Sequence, residues 1–358
     1  MMQGIWLEIE TVLKLISENP NISDLHLSAG DSVAFRFNGE IVKKEELWKI
    51  SDENMEIILK QLFNNNPQRF EKFLWDKEAD FAYIAKNDVA YRVNAFLKTG
   101  RIGIVMRKID RNPKKLEEIM FQDTADIIRS QILSSNKGLF LITGPTGAWK
   151  STSIVAMLEE INQSSPVHII TVEDPIEYVF EAKKALFSQR EILHDTRSFE
   201  NSIKAALRED PDIIMVGEIR DSKTAEAVLD LAETGHLVFS TLHTNSSVST
   251  LNRFLSFFSA EMQNWIIERL SDCLSGVLSQ ILVKRKDGNG RVALFELMLN
   301  NSAVRNNLKK REIDQLHNIL ETSSQSGMIT MKQYAKKLLE RGIIDQSEVQ
   351  KLINNRSF

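Results

Sequence analysis

The residues with the clearest chemical potential lie in one short segment, residues 144–152, which reads GPTGAWKST. A glycine-rich turn between a buried strand and a helix directs backbone N–H groups and the positive helix end at phosphate groups. In such a loop the lysine reaches the β- and γ-phosphates, and the next hydroxyl binds Mg²⁺. We therefore predict that this loop binds ATP through Gly144, Pro145, Thr146, Gly147, Ala148, Trp149, Lys150, Ser151 and Thr152, with Ser151 also binding Mg²⁺.

Trp149 departs from the pattern, which places glycine immediately before the lysine. Glycine allows a close approach of the backbone to phosphate, and a left-handed conformation costs another residue roughly 1–2 kcal/mol. The backbone N–H of Trp149 is retained. Two interpretations follow: a working ATPase, or a hydrolysis-deficient protein that binds nucleotide and has a structural or regulatory role.

Two acidic residues follow apolar runs further along the chain. Glu173 ends the run in TVEDP, and Glu218 ends the run in DIIMVGE. Because the carboxyl ends of parallel strands meet at one edge of a sheet, we expect both glutamates near the loop. One would polarise the attacking water and the other would hold Mg²⁺ through water, as phosphoryl transfer requires.

His243 and two arginines complete the candidate set. His236 and His243 bracket an apolar run, and His243, at the far end, is the better candidate to sense the γ-phosphate. Arg92 and Arg107 lie in strand-like segments of the first part of the chain. They read either as surface residues or as arginines that supply positive charge to a neighbouring subunit's nucleotide.

The surrounding elements must position these side chains. In the second part of the chain, apolar runs separated by helix-like segments predict an α/β domain with helices on both faces of a sheet. In the first part, six short strand patterns and one helix at 54–63 predict a small α+β domain. We place domain boundaries at 1–110 and 120–358, with a linker at 111–119. From about residue 260 we predict mostly helix, including an apolar helical pattern at 273–278.

Composition limits the function classes. A chain of 358 residues suggests two domains, and a net charge of −4 without a basic stripe argues against a nucleic-acid-binding protein such as a DNA helicase. Cys273 is the single cysteine, which excludes an intramolecular disulfide and a cysteine-rich zinc site; we expect it in the core. No apolar run reaches the length of a membrane span, and the start does not resemble a signal peptide, so we expect a cytoplasmic protein.

With these motifs in place, the chain resembles the type II/IV secretion ATPases and, within them, the type IV pilus retraction ATPases (PilT-like proteins). The resemblance spans nearly the whole chain. It rests on SDLHLSAG, FNGEI and YRVNAF in the first part, and on the phosphate loop, TVEDPIEY, SQREILHDTRSF, AALREDPDIIMVGEIRD and ETGHLVFSTLHT in the second. The chain departs from the family pattern at Ala148, Trp149 and Ser240, and in the C-terminal helix motif at 302–310.

The resemblance implies a PAS-like domain followed by a RecA-like P-loop ATPase domain with a mostly helical C-terminus. It also implies a homo-hexameric ring with ATP between subunits, which works in pilus retraction and twitching motility. Glu173 would be the catalytic base, Glu218 the acid that holds the Mg²⁺ water, His243 a histidine-box residue, and Arg92 and Arg107 trans-acting arginines. Implied partners are an inner-membrane pilus platform protein, which brings the motor to the membrane periphery, and a second pilus ATPase.

Overall fold

The chain forms two compact units, and their boundaries do not follow the sequence in a simple way. The computed structural model describes residues 2–19, 21–43, 49–109 and 112–354, with side chains from 9 to 351. The first unit comprises Met1–Arg111, Asp174–Val179 and Glu191–Arg197, and the second comprises the remainder. The prediction assigned every residue from 120 onward to the second domain, whereas Asp174–Val179 and Glu191–Arg197 belong to the first unit. Arg111, where the predicted linker starts, lies outside the described residues.

The first unit is built on an antiparallel sheet of six strands in the order β3-β2-β1-β6-β5-β4. Burial alternates along most of β4 and β5, as expected where one face of a sheet packs on a core, whereas β3 is exposed throughout. The strands are β1 (Ile22–Ser28), β2 (Ala34–Phe37), β3 (Glu40–Lys43), β4 (Glu78–Ile84), β5 (Ala90–Lys98) and β6 (Arg101–Lys108). The predicted strands are confirmed, with ends shifted by up to two residues.

Three helices pack on this sheet: α1 (Met2–Glu18), α2 (Asp52–Leu62) and α3 (Pro67–Asp76). Ser51 caps α2 by accepting a hydrogen bond from the Asn54 N–H, and acidic Asp52 and Glu53 in the first turn suit the positive helix end. Apolar residues from all three helices and from the sheet form one buried cluster. The sequence predicted α2 and missed α1 and α3.

Glu191 explains why two distant segments belong to the first unit. Its carboxylate is buried, and Oε2 accepts hydrogen bonds from the N–H of Ala82 in β4 (2.8 Å) and of Ile176 (3.1 Å). Burial raises the pKa of this carboxyl, although the two N–H groups act in the opposite direction. Glu191 thus fastens the segment Asp174–Val179 to the sheet.

The second unit contains a seven-stranded sheet in the order β13-β12-β7-β11-β10-β8-β9. Pairs along β12-β7-β11-β10-β8 are parallel, and β12 pairs antiparallel with β13. The strands are β7 (Gly138–Thr143), β8 (His168–Glu173), β9 (Leu186–Glu191), β10 (Ile213–Val216), β11 (Leu237–Leu242), β12 (Leu274–Lys284) and β13 (Arg291–Leu299). Complete burial of β7, β10 and β11 explains their continuous apolar sequences.

Eleven α-helices of the second unit are described: α4 (Leu116–Ile119), α5 (Gln122–Ile128), α6 (Lys150–Ser164), α7 (Phe199–Ala206), α8 (Ser222–Glu233), α9 (Ser247–Leu255), α10 (Ala260–Cys273), α11 (Ser302–Lys309), α12 (Leu316–Thr322), α13 (Met331–Glu340) and α14 (Gln346–Asn354). A π-helical turn, Arg129–Leu133, continues α5, and short 3₁₀ turns flank α12. No helix in the described ranges has both the length and the apolarity to cross a bilayer.

One local prediction was wrong. The helical pattern at 273–278 is the start of β12, an eleven-residue strand, and β13 follows it, so the C-terminal part is not purely helical. Because β12 is buried on both faces, its sequence lacks the alternation that marks a half-exposed strand. Cys273 ends α10 in the core, as expected, and burial raises the pKa of its thiol to about 12. The predicted architecture, an α/β unit preceded by an α+β unit, is confirmed.

Candidate functional site

The segment 144–152 lies between a buried strand and a helix, as the glycine pattern predicts. Strand β7 ends at Thr143 and α6 begins at Lys150. Gly144 has φ +152°, and a Cβ atom there would lie 2.2 Å from the backbone oxygen of Gln280. A residue with a side chain therefore cannot occupy position 144 without moving β12.

Several polar groups of the loop face no partner within the protein. In the described parts of the chain, nothing accepts a hydrogen bond from the N–H groups of Thr146, Gly147 and Trp149, and the Ser151 hydroxyl likewise contacts no polar group. Backbone donors at the start of a helix, beside a lysine, match the acceptor oxygens of a phosphate chain. The loop therefore fits a nucleotide polyphosphate.

Trp149 adopts the conformation for which the glycine of the pattern is suited. Its φ and ψ are 65° and 28°, in the left-handed region, so the expected backbone strain is present. The indole is half-buried, and Lys114 Nζ lies 4.7 Å from its ring centroid, at cation–π distance. The tryptophan thus keeps the loop's backbone geometry and places its ring against Lys114.

Lys150, His243 and Glu218 form a continuous series of contacts. Lys150 Nζ donates to the carbonyl oxygens of Gly144 (2.8 Å) and Pro145 (3.2 Å) and lies 3.3 Å from His243 Nδ1. His243 Nε2 lies 3.2 Å from Glu218 Oε2. Lys150 begins the helix that follows β7, and His243 and Glu218 follow β11 and β10; the three strands are neighbours in the sheet. The structure therefore brings three predicted site residues together.

Glu218 carries a further contact, because its Oε1 pairs with Arg220. For the Glu218 carboxylate to hold a metal-bound water, either Arg220 or His243 would have to release the carboxylate oxygen that it contacts. Oxygen donors of Glu218 and Ser151 are the type that Mg²⁺ prefers. No cluster of three or more His, Cys, Asp or Glu side chains suited to a metal occurs in the described residues, so a metal here would depend on the nucleotide phosphates for other ligands.

Glu173 ends β8, the neighbour of β10. Its carboxylate is buried, and Oε1 accepts hydrogen bonds from Thr171 Oγ1 (2.7 Å) and Gln189 Nε2 (3.4 Å). A Cβ atom on Gly217 would come within 3.5 Å of the Glu173 Cα, so the residue before Glu218 packs directly against Glu173. The two glutamates accordingly lie at the ends of adjacent strands.

His236 and Ser240 have structural contacts. His236 precedes β11, at the sheet edge opposite the loop, and its Nδ1 lies 3.0 Å from the Leu231 oxygen. The Ser240 hydroxyl is fully buried and donates to the Val216 oxygen across the β10–β11 pair at 2.8 Å. The preference for His243 over His236 therefore agrees with the geometry, and Ser240 is accommodated by a hydrogen bond.

Arg92 and Arg107 belong to the first unit and are ion-paired there. Arg92 pairs with Asp80 (2.7 Å) and Glu177 (3.3 Å), and hydrogen bonds to Asp80 raise its pKa. Arg107 pairs with the buried Asp24 at 2.7 Å while most of its side chain stays exposed. Both arginines have acidic partners within their own unit.

Gln280 and Gln189 are contacts of the site that the sequence analysis missed. Gln280 Nε2 donates to the Ala148 oxygen in the loop, and Gln189 contacts Glu173. Gln189 lies in the SQREILHDTRSF motif, but the sequence analysis gave it no role, and the strand β12 that carries Gln280 was read as helix. A correct assignment of that strand would have placed residue 280 beside the loop.

The chain is similar to known proteins over almost its whole length. The family described as type II/IV secretion system protein matches residues 9–351. A twitching motility protein from Neisseria gonorrhoeae is 39% identical over 93% of this chain and 88% of its own length. The type IV pilus retraction ATPase PilT of Pseudomonas aeruginosa is also 39% identical, over 94% of this chain and 95% of its own. The crystal structure of the pilus retraction motor PilT with bound ADP superimposes with a TM-score of 0.84 at 34% identity, covering 97% of both chains.

Proposed function

Because this chain belongs to the type II/IV secretion system protein family, we propose that it is an ATPase whose hydrolysis cycle powers retraction of type IV pili. The observation that carries the proposal is the phosphate loop, three N–H groups of which have no acceptor among the described residues, adjoining the series Lys150–His243–Glu218. Relatives at 39% identity over almost the whole chain bear the names of a pilus retraction ATPase and a twitching motility protein.

We assign ATP binding to residues 144–152. The N–H groups of Thr146, Gly147 and Trp149 would donate to phosphate oxygens, and Lys150 would exchange its carbonyl partners for the β- and γ-phosphates. Ser151 and Glu218 would hold Mg²⁺, the latter through water. The metal, when bound, neutralises the charge that develops on the phosphates.

Glu173 is our candidate for the residue that polarises the attacking water. Its Oε1 is held by Thr171 and Gln189, so the orientation of the carboxylate is already set. A positioned base contributes about 10²–10⁴-fold to such a reaction. His243, between Lys150 and Glu218, would respond to the presence of the γ-phosphate because Lys150 is its neighbour.

We further propose that the working form is a homo-hexameric ring in the cytoplasm, docked at the inner membrane on a pilus platform protein and acting beside a second pilus ATPase. In such a ring Arg92 and Arg107 would act on the nucleotide of a neighbouring subunit. We also propose that the chain consists of a first domain at 1–110, a linker at 111–119 and an ATPase domain at 120–358.

The test is ATP hydrolysis by the purified protein and by Glu173→Gln. We expect turnover to fall by about 10²–10⁴-fold while ADP binding, measured by calorimetry, stays within about threefold. Lys150→Ala is the matched binding variant and should lose both. Wild-type hydrolysis no faster than that of Glu173→Gln would refute the enzyme assignment.

Trp149→Gly separates the motor from the alternative of a hydrolysis-deficient ring subunit. The loop already has the left-handed conformation and the indole lies against Lys114, so we expect turnover to change by less than about threefold. An increase of about a hundredfold or more would instead mean that tryptophan silences the site.

A further inference from the structure

We infer that Gln280 is a positioning residue for nucleotide binding: its side-chain amide orients the Ala148–Trp149 peptide so that the Trp149 N–H faces the phosphates. This inference rests on the proposed nucleotide site and concerns a residue of β12, outside the phosphate loop. Three observations carry it: the contacts of Gln280 with the loop, the geometry of one peptide group, and the strain at Trp149.

Gln280 touches the loop at two points. Its neighbour Ser279 is the last residue of β12 to pair with β7, opposite Thr143, so residue 280 lies beside Gly144. The Gln280 backbone oxygen fills the space that a Cβ on Gly144 would need, and its Nε2 donates to the Ala148 oxygen. The side chain is fully buried. Gln280 therefore contacts the loop from the sheet at both Gly144 and Ala148.

The peptide between Ala148 and Trp149 is trans, since Asp174–Pro175 is the one cis bond of the described residues. In a trans peptide the C=O and the N–H point in opposite directions. Because the Ala148 oxygen points at Gln280, the Trp149 N–H points away from the sheet, where no described residue accepts it. Gln280 thus determines the direction of one phosphate-binding donor.

Two costs indicate that this contact serves more than packing. Gln280 Oε1 is buried without a hydrogen-bond partner among the described residues, a cost that an apolar residue would avoid. Trp149 is also strained at φ 65°, and a rotation of the preceding peptide would relieve that strain. The hydrogen bond from Gln280 opposes that rotation.

The first experiment compares wild type with Gln280→Met, which has similar volume and no donor. We expect the Kd for ADP and the KM for ATP to rise about tenfold, as for loss of one buried hydrogen bond, with kcat within about threefold. Tyr334→Phe is the matched control, because the hydroxyl of Tyr334, on α13 of the same unit, accepts a buried hydrogen bond from the Phe121 N–H, and the substitution removes it. It should lower the thermal midpoint and leave Kd and KM unchanged. A lower midpoint for Gln280→Met with unchanged Kd and KM would overturn the inference.

The second experiment repeats Gln280→Met in the Trp149→Gly background. Glycine adopts the left-handed conformation without strain, so the loop needs the restraint less, and we expect the KM increase to shrink to about two- to threefold. An equal increase in both backgrounds would overturn the link to strain. Failure of the wild type to bind ADP at all would refute the nucleotide site itself, whereas binding unaffected by Gln280→Met would refute the role of Gln280 alone.

Discussion

Arg92 and Arg107 are direct cross-strand partners: β5 and β6 pair antiparallel, and in that register these two residues lie opposite each other. Side chains of such partners lie on the same face of a sheet, and two like charges placed there repel. Asp24, on β1, lies opposite Arg107 and forms an ion pair with it, and Asp80, on β4, forms an ion pair with Arg92. A carboxylate on a neighbouring strand therefore offsets the charge of each guanidinium group.

This relationship predicts complementation between inactive subunits. Arg107→Ala and Glu173→Gln should each reduce turnover by about 10²-fold or more, because each removes one charged group from the proposed composite site. Mixing the two before ring assembly should restore part of the activity, since some sites then combine an intact arginine with an intact glutamate. ATP hydrolysis of the mixture measures this.

Arg101→Ala is the control for that mixture, because Arg101 lies at the turn end of β6 and pairs with Asp52. It should leave turnover within about twofold of wild type, as expected for an exposed ion pair. If the mixture of the two inactive variants hydrolyses no faster than either alone, the arginines do not act across subunits.

His243→Ala should separate binding from turnover. His243 lies between Lys150 and Glu218 without contacting the loop amides, so ADP affinity should stay within about threefold. Turnover should fall by about tenfold or more, since Lys150 and Glu218 lose the group that joins them. Calorimetry with ADP and a steady-state ATPase assay measure the two effects. His236→Ala, at the opposite end of β11, is the control and should keep both values; equal losses for the two histidines would contradict the prediction.

Gly144→Ala and Gly147→Ala should differ sharply although both lie in the loop. At position 144 a Cβ would lie 2.2 Å from the Gln280 oxygen, whereas at 147 it would meet nothing within 4 Å. We expect Gly144→Ala to lower the unfolding free energy by about 3 kcal/mol or more and to abolish ADP binding. Gly147→Ala should cost about 1 kcal/mol from its positive φ alone. Urea denaturation and calorimetry measure both variants, and similar effects would refute the close contact with β12.

Glu191 predicts a pH dependence of stability. Burial raises the pKa of Glu191 in the folded chain. Below the ordinary value of 4.5 the carboxyl is protonated in both states and does not reduce the free energy of unfolding. As the pH rises through the raised pKa, the buried group must ionise and the free energy of unfolding falls. Glu191→Gln removes that loss. The difference in unfolding free energy between the variant and wild type should therefore shift in favour of the variant from pH 4.5 upward, as measured by denaturation at several pH values.

Asp24→Asn supplies a control of opposite sign. Burial alone would raise the Asp24 pKa, but hydrogen bonds from Ser23 and Arg107 outweigh it and lower the pKa below 3.8. Its stabilising contribution is present above that pH and is lost as the pH falls through the lowered value. The deficit of Asp24→Asn should therefore shrink on acidification. A constant offset for both variants across the pH range would contradict both assignments.

Most of the architecture was predictable because the strands and helices have simple patterns of apolar and polar residues. Fully buried parallel strands such as β7 and β10 appear as short apolar runs, and strand-end glutamates of such a sheet must converge. Even the pairing of Arg92 with Arg107 could be read from the sequence, since each lies seven residues from the Thr99–Gly100 turn. Strand β12 could not be recognised, because burial on both faces removes alternation and leaves a spacing that a helix would share.

The contacts of Gln280 and Glu191 were out of reach for a different reason. Each depends on a side chain that reaches backbone atoms far away in the sequence: Ala148 from residue 280, and Ala82 from residue 191. Because a backbone N–H or C=O is present whatever the side chain, a hydrogen bond to it does not require a particular residue type at the partner position. No sequence motif therefore reveals such a bond. Such contacts become visible only when the strands have been placed.

Trp149 also gives the protein an internal optical reporter. The indole belongs to the phosphate loop and lies beside the ammonium group of Lys114, so we expect its emission to change when nucleotide binding alters that contact. The sequence has five tryptophans, so replacing the other four with phenylalanine would isolate one chromophore at the nucleotide phosphates. Binding, hydrolysis and product release could then be followed in real time without attaching a dye.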